Sequence, residues 1–223
     1  MQKNGKLVFL IFKIFNFADI YKNYLNYVRL DKKYWNSRYK IQETGWDVGK
    51  ITTPLKKYFD QLEDKKLKIL IPGSGNSYEA EYLHYLKFKN VYVLDFSNIA
   101  LKNLKKRAPS FPDNHLLNVN FFHLNNKFDL IIEQTFFCAI SVRNRSRYVK
   151  KASQLLKKNG KLVGLLFNDT LNQDKPPFGA HRQDYIKYFS SNFKIKVLDN
   201  CYNSIEERKG RELFINLIKL NNK

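Results

Sequence analysis

A glycine-rich turn and one acidic residue form the pattern in this sequence that most directly indicates chemistry. The apolar run 68–71 leads into Pro-Gly-Ser-Gly, which contains Gly73 and Gly75. A second apolar run, 91–94, ends at Asp95, which lies at about the 20-residue interval where nucleoside-binding sheets carry a carboxylate for the ribose hydroxyls. Glycines let the backbone approach a ligand, and the next helix offers its N-terminal N–H groups. The pattern predicts a site for a nucleoside-bearing cofactor.

Two features narrow the choice of cofactor. A dinucleotide fingerprint requires a third glycine where helix and strand pack together, and this chain has Tyr78 there. The turn also lacks the Gly-Lys-Ser/Thr ending of a P-loop, which argues against ATP. The pattern therefore favours an adenosine cofactor without a pyrophosphate, of which S-adenosylmethionine is the common example.

Aromatic residues upstream of the turn form a second candidate for ligand contact. Trp35 and Tyr39 are four residues apart in a predicted helix, 31–39, and therefore share one helix face. The segment TGWD that follows places Trp46 beside a glycine and an acid. These three side chains are suited either to core packing or to covering a ligand.

Helix and strand signals alternate along the rest of the chain, as a parallel sheet covered by helices requires. Thr53 is expected to cap a helix that begins with Pro54. Further helices are predicted over 77–86, 98–107, 147–157 and 183–189, and Gly160 is expected to supply the left-handed stop of the fourth. Strands are predicted over 68–71, 91–94, an edge segment within 118–124, 128–133, 161–167, 193–198 and 213–220, the last two antiparallel to each other.

Length and composition predict one α/β domain. The chain has 223 residues, of which 43% are hydrophobic, enough for one well-buried core and short for two. We expect residues 31–223 to form this domain and residues 1–30 to be an N-terminal extension. The apolar stretch 7–17 within the extension contains Lys13 and is shorter than the ~20 residues that span a bilayer. It could lie on a membrane surface, pack on the domain or precede the true start codon, and we favour a non-catalytic extension.

The formal net charge of +20, from 40 Lys and Arg against 20 Asp and Glu, admits a nucleic-acid or anionic-membrane partner. The basic residues are spread over the whole chain, which argues against a dedicated binding patch. The densest arginine group, Arg143, Arg145 and Arg147, is interpreted as a solvated helix start. Nucleic acid therefore stays a secondary alternative to a small-molecule substrate.

Cysteine and histidine positions give no sign of a metal site. Cys138 and Cys201 are far apart and have no zinc or redox spacing, which favours a reducing, cytoplasmic compartment. The four histidines show no paired ligand spacing. We predict no metal, no stable membrane span and a monomeric protein.

Four ordered segments resemble the thiopurine S-methyltransferase family of class I S-adenosylmethionine-dependent methyltransferases, and in particular its thiol and halide methyltransferase branch. They are YWNSRYKIQETGWDVGKITTPL, ILIPGSGNSYEAEYL, FDLIIEQTFFCAI and SIEERKGRE. Together they cover most of the chain from about residue 31, and TFFCAI is the most specific. The resemblance implies a Rossmann-like, doubly wound, mostly parallel seven-stranded sheet with an antiparallel last strand.

The resemblance also implies which residues contact the cofactor, S-adenosyl-L-methionine. Aromatic side chains would cover its methionine end, glycines would approach its amino-acid part and ribose, and an acid would hold the ribose hydroxyls. An Asn-Phe pair would meet the adenine, and one residue at the mouth of the fourth strand would lie near the substrate. In that order these positions are Trp35, Tyr39 and Trp46; Gly73 and Gly75; Asp95; Asn120 and Phe121; and Gln134.

Several positions depart from the family pattern. Many relatives have tryptophan at Tyr39, an acid at Asn120 and tyrosine or arginine at Gln134. Asn120 can still pair with an amino group. Gln134 removes an ionisable or charged group beside the methyl transfer, which leaves the substrate open.

The expected reaction is an in-line displacement that transfers a methyl group to a small thiol or anionic nucleophile: a thiol, thiopurine, hydrosulfide, halide or thiocyanate. Positioning supplies most of the acceleration in such reactions, up to ~7–11 kcal/mol in intramolecular analogues. A dedicated catalytic base is optional, because an anion needs no deprotonation and a thiol is partly ionised near neutral pH. The predicted acceptor contacts are Trp46, Phe136, Phe178 and Arg208, although Arg208 could instead be a surface residue in a turn. The alternatives are a nucleic-acid methyltransferase and a non-enzymatic S-adenosylmethionine-binding protein.

Overall fold

The computed structural model of the protein describes residues 29–221, and these contain a seven-stranded sheet with the strand order β3-β2-β1-β4-β5-β7-β6. The strands are β1 Ile69–Pro72, β2 Val91–Leu94, β3 Leu116–Leu117, β4 Phe128–Gln134, β5 Leu156–Phe167, β6 Phe193–Asn200 and β7 Glu212–Lys219. Strands β1 to β5 pair in parallel, whereas β7 runs antiparallel to both β5 and β6. The predicted doubly wound, mostly parallel α/β sheet is confirmed. The apolar stretch 7–17 lies outside the described residues.

Six α-helices cover the sheet within residues 29–221. They are α1 Lys32–Lys40, α2 Thr53–Asp60, α3 Tyr78–Tyr85, α4 Asn98–Arg107, α5 Arg145–Leu155 and α6 Arg182–Phe189. One buried apolar cluster packs α2, α3 and α4 on one face of the sheet, and a second packs α5 and α6 on the other. The central strand β1 is buried at all four residues, as expected for a parallel strand with helices on both faces.

Two helix ends differ from the predictions. The N-cap of α2 is Thr52 rather than Thr53, and its hydroxyl donates to the side chain of Gln134 instead of capping the helix. Helix α5 ends at Leu155, and β5 begins at once with Leu156. The left-handed residue after the helix is Asn159, with φ of 59°, rather than the predicted Gly160. Asn159 lies where the β4–β5 pairing shifts register, so that extra residues of β5 form a bulge.

The edge strand was predicted too late in the sequence. Strand β3 is Leu116–Leu117, and Phe121–His123 forms a 3-10 turn. Two asparagines explain the difference, because their side chains bond to the backbone. The amide of Asn118 donates to the carbonyls of Asp95 and Phe96, and the side chain of Asn120 accepts from the Phe122 N–H. Such local bonds compete with strand pairing.

Candidate active site

A large cleft lies at the carboxyl ends of β1, β2 and β4, beside the strand where the sheet order reverses. This edge is the usual ligand site of open α/β sheets. The cleft has a volume of about 1580 Å³. Sites for one small ligand typically measure roughly 300–1,000 Å³. The cleft therefore has room for a cofactor and a second small molecule side by side.

The glycine turn adopts a backbone conformation that other residues rarely take. Gly73 and Gly75 have φ of 58° and 54°. A Cβ on Gly73 would lie 2.2 Å from Cδ2 of Phe136, and one on Gly75 would lie 3.0 Å from the hydroxyl oxygen of Tyr39. Both glycines are thus required by conformation and by the aromatic rings packed against the turn.

Asp95 connects β2 to the glycine turn. Its Oδ2 accepts from the Gly75 N–H at 2.9 Å, and its Oδ1 accepts from the Ser97 N–H at 2.7 Å. The side chain lines the cleft, and the residue is only 9% exposed. Burial raises the pKa of this carboxyl to about 6, although the hydrogen bonds from the two backbone amides lower it. Each carboxylate oxygen retains a lone pair that can accept from a ligand hydroxyl.

Aromatic side chains from α1 and the loop after it cover the turn. The ring centroids of Trp35 and Trp46 are 5.5 Å apart, and those of Tyr39 and Trp46 are 5.8 Å apart, both edge to face. Two distant groups hold this loop: Arg208 Nη2 donates to the Trp46 carbonyl at 2.8 Å, and the Asn76 side chain bonds to Asp47. The three predicted aromatic residues therefore meet at one end of the cleft.

The Asn-Phe pair lies at the end of the cleft beyond β2. Both Asn120 and Phe121 line it. Phe121 is largely buried, and its ring stacks on Tyr148 with centroids 5.2 Å apart. Phe122 also lines the cleft and carries the guanidinium of Arg147 over its ring.

The opposite wall combines apolar and charged side chains from three separate parts of the chain. They are the turn after β4, the segment before α6 and the segment between β6 and β7. The lining residues include Thr135, Phe136, Ala139, Ile140, Leu171, Pro176, Pro177, Ser204, Ile205 and Arg208, together with the charged residues Glu206, Glu207 and Arg211. This wall faces the cleft beside Gly73, where the ring of Phe136 meets the glycine turn.

Arg208 is a buried cation in this wall. The residue is 6% exposed, its guanidinium lies over the ring of Phe167, and its Nη1 is 3.5 Å from a carboxylate oxygen of Glu212. Within residues 29–221, Nη1 has no hydrogen-bond partner. The interpretation of Arg208 as an ordinary surface arginine is therefore wrong.

The family model for thiopurine S-methyltransferase matches residues 30–220. The chain belongs to the thiopurine S-methyltransferase family. Its relatives include probable thiol methyltransferase 2 of Arabidopsis thaliana and thiocyanate methyltransferase 1 of Brassica oleracea. Each is 28% identical over 185 residues, which cover 80% of this chain and 81% of the relative.

Solved structures show the same fold at low sequence identity. A TehB-like S-adenosylmethionine-dependent methyltransferase from Corynebacterium glutamicum has a TM-score of 0.61 at 14% identity, covering 85% of this chain and 98% of the other. Magnesium protoporphyrin IX methyltransferase from Synechocystis has a TM-score of 0.65 at 13% identity, covering 85% and 97%. Together with the family match, these comparisons confirm the predicted class: this thiopurine S-methyltransferase family member is a methyltransferase with S-adenosylmethionine as its cofactor.

Two residues predicted from the family resemblance do not line the cleft of this methyltransferase. The side chain of Gln134 accepts from the Thr52 hydroxyl at 3.0 Å, so it points at the start of α2. Phe178 is 7% exposed and lies behind the wall, where its N–H donates to the Cys138 carbonyl at 2.7 Å. Pro176 and Pro177 line the cleft in its place.

The prediction that the arginine group at the start of α5 is solvated holds for the exposed Arg143 and Arg147 but is wrong for Arg145. Arg145 is 2% exposed and donates to the carbonyls of Phe178 and Gly179 at 2.8 and 2.9 Å, while Arg147 lines the cleft. Asp47, Phe96 and Ile140 line the cleft as well and were not predicted. The sequence offers one usable signal for them, since Asp47 lies within TGWD and Ile140 ends TFFCAI.

Among residues 29–221, no helix is long and apolar enough to cross a membrane. No three His, Cys, Asp or Glu side chains within the same range lie close enough together to hold a metal ion.

Proposed function

We propose that this methyltransferase transfers the methyl group of S-adenosylmethionine to a small thiol or anionic nucleophile: a thiol, thiopurine, hydrosulfide, halide or thiocyanate. The observation that carries the proposal is the guanidinium side chain of Arg208, which lines the cleft together with apolar residues such as Phe136 and Ile140. A guanidinium can bind a small anion through charge-assisted hydrogen bonds. The thiol and thiocyanate methyltransferase relatives support the same class of acceptor.

The residues at the turn end of the cleft suit the cofactor. Asp95 would accept from the two ribose hydroxyls through its remaining lone pairs, and Gly73 and Gly75 would let the backbone approach the amino-acid part. The aromatic faces of Trp35 and Trp46 suit a sulfonium cation. When bound there, the cofactor supplies an electrophilic methyl group.

The residues at the other end of the cofactor site would meet the adenine. Asn120 would bond to an adenine nitrogen at the cleft edge, and Phe121 would pack on the ring. Gln134 would act indirectly. Its side chain accepts a hydrogen bond from Thr52 at the start of α2, just after the loop that carries Trp46.

The wall opposite would orient the acceptor and exclude water. Phe136, Ile140 and Pro177 present apolar surface beside Arg208. No histidine lines the cleft among the described residues. Burial raises the pKa of the Cys138 thiol to about 12, so this thiol stays protonated near neutral pH. The wall therefore suits an acceptor that arrives as an anion and needs no general base.

We further propose that the enzyme acts as a cytoplasmic monomer. Both cysteines are free and buried, which fits a reducing compartment.

The test is a screen for methyl transfer from methyl-labelled S-adenosylmethionine. Hydrosulfide, thiocyanate, iodide, an aliphatic thiol and a thiopurine serve as acceptors, with RNA and DNA as parallel samples. We expect a labelled methyl thioether, methyl thiocyanate or methyl halide with at least one small acceptor and no label on nucleic acid. Label on RNA or DNA alone, or no transfer to any small acceptor by protein that binds the cofactor, would overturn the proposal.

A further inference from the structure

Glu133 is a fully buried acid that the proposed cofactor and acceptor contacts do not use. It is the penultimate residue of β4, and its exposure is 0%. Burying a carboxyl group is unfavourable unless hydrogen bonds compensate for the lost water. The contacts of this side chain therefore show why an acid is tolerated at this position.

Three donors converge on the carboxylate of Glu133. Its Oε1 accepts from the N–H groups of Phe136 and Phe137 at 2.9 and 2.8 Å, and its Oε2 accepts from the Tyr148 hydroxyl at 2.5 Å. The two amides belong to the tight turn after β4, in which Thr135 has φ of 60°. That conformation is strained for a β-branched residue and needs support from its surroundings. The carboxylate supplies the support by binding the next two amides of the turn.

The supported turn carries the ring that touches the glycine turn of the cofactor site. A Cβ on Gly73 would lie 2.2, 2.6 and 2.9 Å from three side-chain atoms of Phe136. The same ring lines the cleft where the acceptor wall begins. The main chain of Phe136 is thus fixed by Glu133, and its side chain lies at the boundary between the two halves of the cleft.

We infer that Glu133 is a positioning residue for methyl transfer, which holds the ring of Phe136 against Gly73 through its hydrogen bonds to the turn after β4. The inference rests on the proposed function. Glu133 does not touch either reactant and acts only through Phe136. Tyr148 orients the carboxylate from α5 by binding its second oxygen.

The chemistry of the side chain suggests a matched pair of substitutions. Glu133→Gln keeps an oxygen for the two amides, and its NH2 group can donate to the Tyr148 oxygen once that hydroxyl rotates. Glu133→Ala removes the acceptor and leaves both amides of the turn buried without a partner. Glu133→Asp keeps the charge but withdraws the oxygens from the amides.

The test measures kcat and the acceptor KM for these variants, with the acceptor that the wild-type protein uses, beside the affinity for S-adenosylhomocysteine. We expect Glu133→Gln to retain kcat within about threefold, and Glu133→Ala to lower it by about tenfold to a hundredfold, the scale of a small misplacement of reacting groups. Affinity for S-adenosylhomocysteine should stay within about threefold in both, since Asp95 and the glycines are untouched. If Glu133→Ala does not fold, Glu133→Asp takes its place, with an expected fall in kcat of about tenfold.

A double-mutant cycle with Phe136→Leu separates positioning from plain stabilisation. If Glu133 acts only through the Phe136 ring, the double variant should have nearly the kcat of Phe136→Leu alone, whereas independent effects would multiply. Unchanged kcat in folded Glu133→Ala, or multiplied effects in the cycle, would overturn the inference while leaving the proposed function intact. A wild-type protein that methylates no acceptor would instead overturn the proposed function, and the inference with it.

Discussion

The two halves of the cleft are built in different ways. The half that we propose binds the cofactor, called the cofactor half, depends on main-chain groups close to the strand ends, such as the Gly75 and Ser97 amides that donate to Asp95. The acceptor half depends on buried side chains that reach across the fold. Arg145 binds carbonyls 33 and 34 residues away, and Arg208 binds the Trp46 carbonyl 162 residues away.

This difference separates what is common to the fold from what is particular to this chain. A glycine turn and an acid can hold the same cofactor in many methyltransferases, because the backbone conformation at the strand ends determines most of the site. The acceptor wall is set by a few buried charges, and these can change the acceptor without changing the sheet. Substitutions in the two halves should therefore alter different measurements.

Gly73→Ala is expected to give the largest effect, and on the cofactor half. The new Cβ would clash with Phe136 at 2.2 Å, and φ of 58° is unfavourable for alanine. We expect affinity for S-adenosylhomocysteine to fall by at least about a hundredfold, since backbone strain alone costs about 1–2 kcal/mol and the clash adds to it. Isothermal titration calorimetry measures this.

Gly210→Ala is the matched control for Gly73→Ala. Gly210 has φ of 73°, and a Cβ added to it would meet no other atom within 4 Å. It carries the same conformational strain without the clash and without contact with the glycine turn. Equal losses of cofactor affinity in the two variants would contradict the role given to the close approach of Phe136.

Arg208→Gln is expected to affect mainly the acceptor half. Loss of a charge-assisted bond to an anion, worth about 1.5–3 kcal/mol, should raise the acceptor KM by about tenfold to a hundredfold. Cofactor affinity should fall by only a few-fold, through the lost bond to the Trp46 carbonyl. Steady-state kinetics with each substrate varied in turn distinguishes the two effects.

Arg211→Gln provides the comparison for Arg208→Gln. The Arg211 side chain also lines the cleft, but it is 48% exposed and paired with Asp169, so solvent screens its charge. We expect its acceptor KM to change by less than about threefold. A larger effect on the acceptor KM at Arg211 than at Arg208 would show that Arg208 is the wrong arginine for the anion contact.

The pH dependence of cofactor binding is expected to give the smallest effect. Burial raises the pKa of Asp95 to about 6, above the ordinary value of 3.8, so the free protein takes up a proton as the pH falls through this value. Ribose hydroxyls donate to the ionised form, so affinity should be constant above pH 7 and fall by about tenfold per pH unit well below pH 6. Calorimetric titrations from pH 5 to 8 measure this slope, and its persistence in Asp95→Asn would exclude Asp95 as the titrating group.

The stability of the free protein is expected to change with pH in the opposite direction to its affinity for the cofactor. The folded-state pKa values of Asp95, Glu79 and Glu133 are raised to about 6, 7 and 7. Groups with raised pKa values stabilise the fold most when protonated, so their contribution is lost as the pH rises through these values.

Local sequence signals were sufficient to predict the glycine turn and the acid that line the proposed cofactor half of the cleft. Gly73, Gly75 and Asp95 lie at strand ends, and strand ends follow from apolar runs that can be read along the chain. The three aromatic residues were assigned through the family resemblance, and the structure brings them together over the turn.

The acceptor half could not be predicted to the same extent, because its geometry depends on tertiary contacts. Arginine is usually exposed, so the sequence alone favours a surface position for Arg145 and Arg208. Only the folded chain shows the carbonyls to which they donate. Gln134 and Phe178 were assigned to the site by position, but the bond to Thr52 and the packing behind the wall turn them away from the cleft.

Outside the cleft, Gly160 was predicted to adopt the left-handed conformation that the β5 bulge gives to Asn159.

The most direct test of the separation between the two halves is the calorimetric affinity of Asp95→Ala for S-adenosylhomocysteine, beside Asp129→Ala. Asp129 is a matched acid that accepts from the Lys68 N–H at 2.9 Å, at the start of β1 and away from the cleft. Loss of the bonds to the ribose should weaken binding to Asp95→Ala by at least about tenfold, while Asp129→Ala binds like the wild-type protein. Unchanged affinity in Asp95→Ala, or an equal loss in both variants, would contradict the assignment of this half of the cleft to the cofactor.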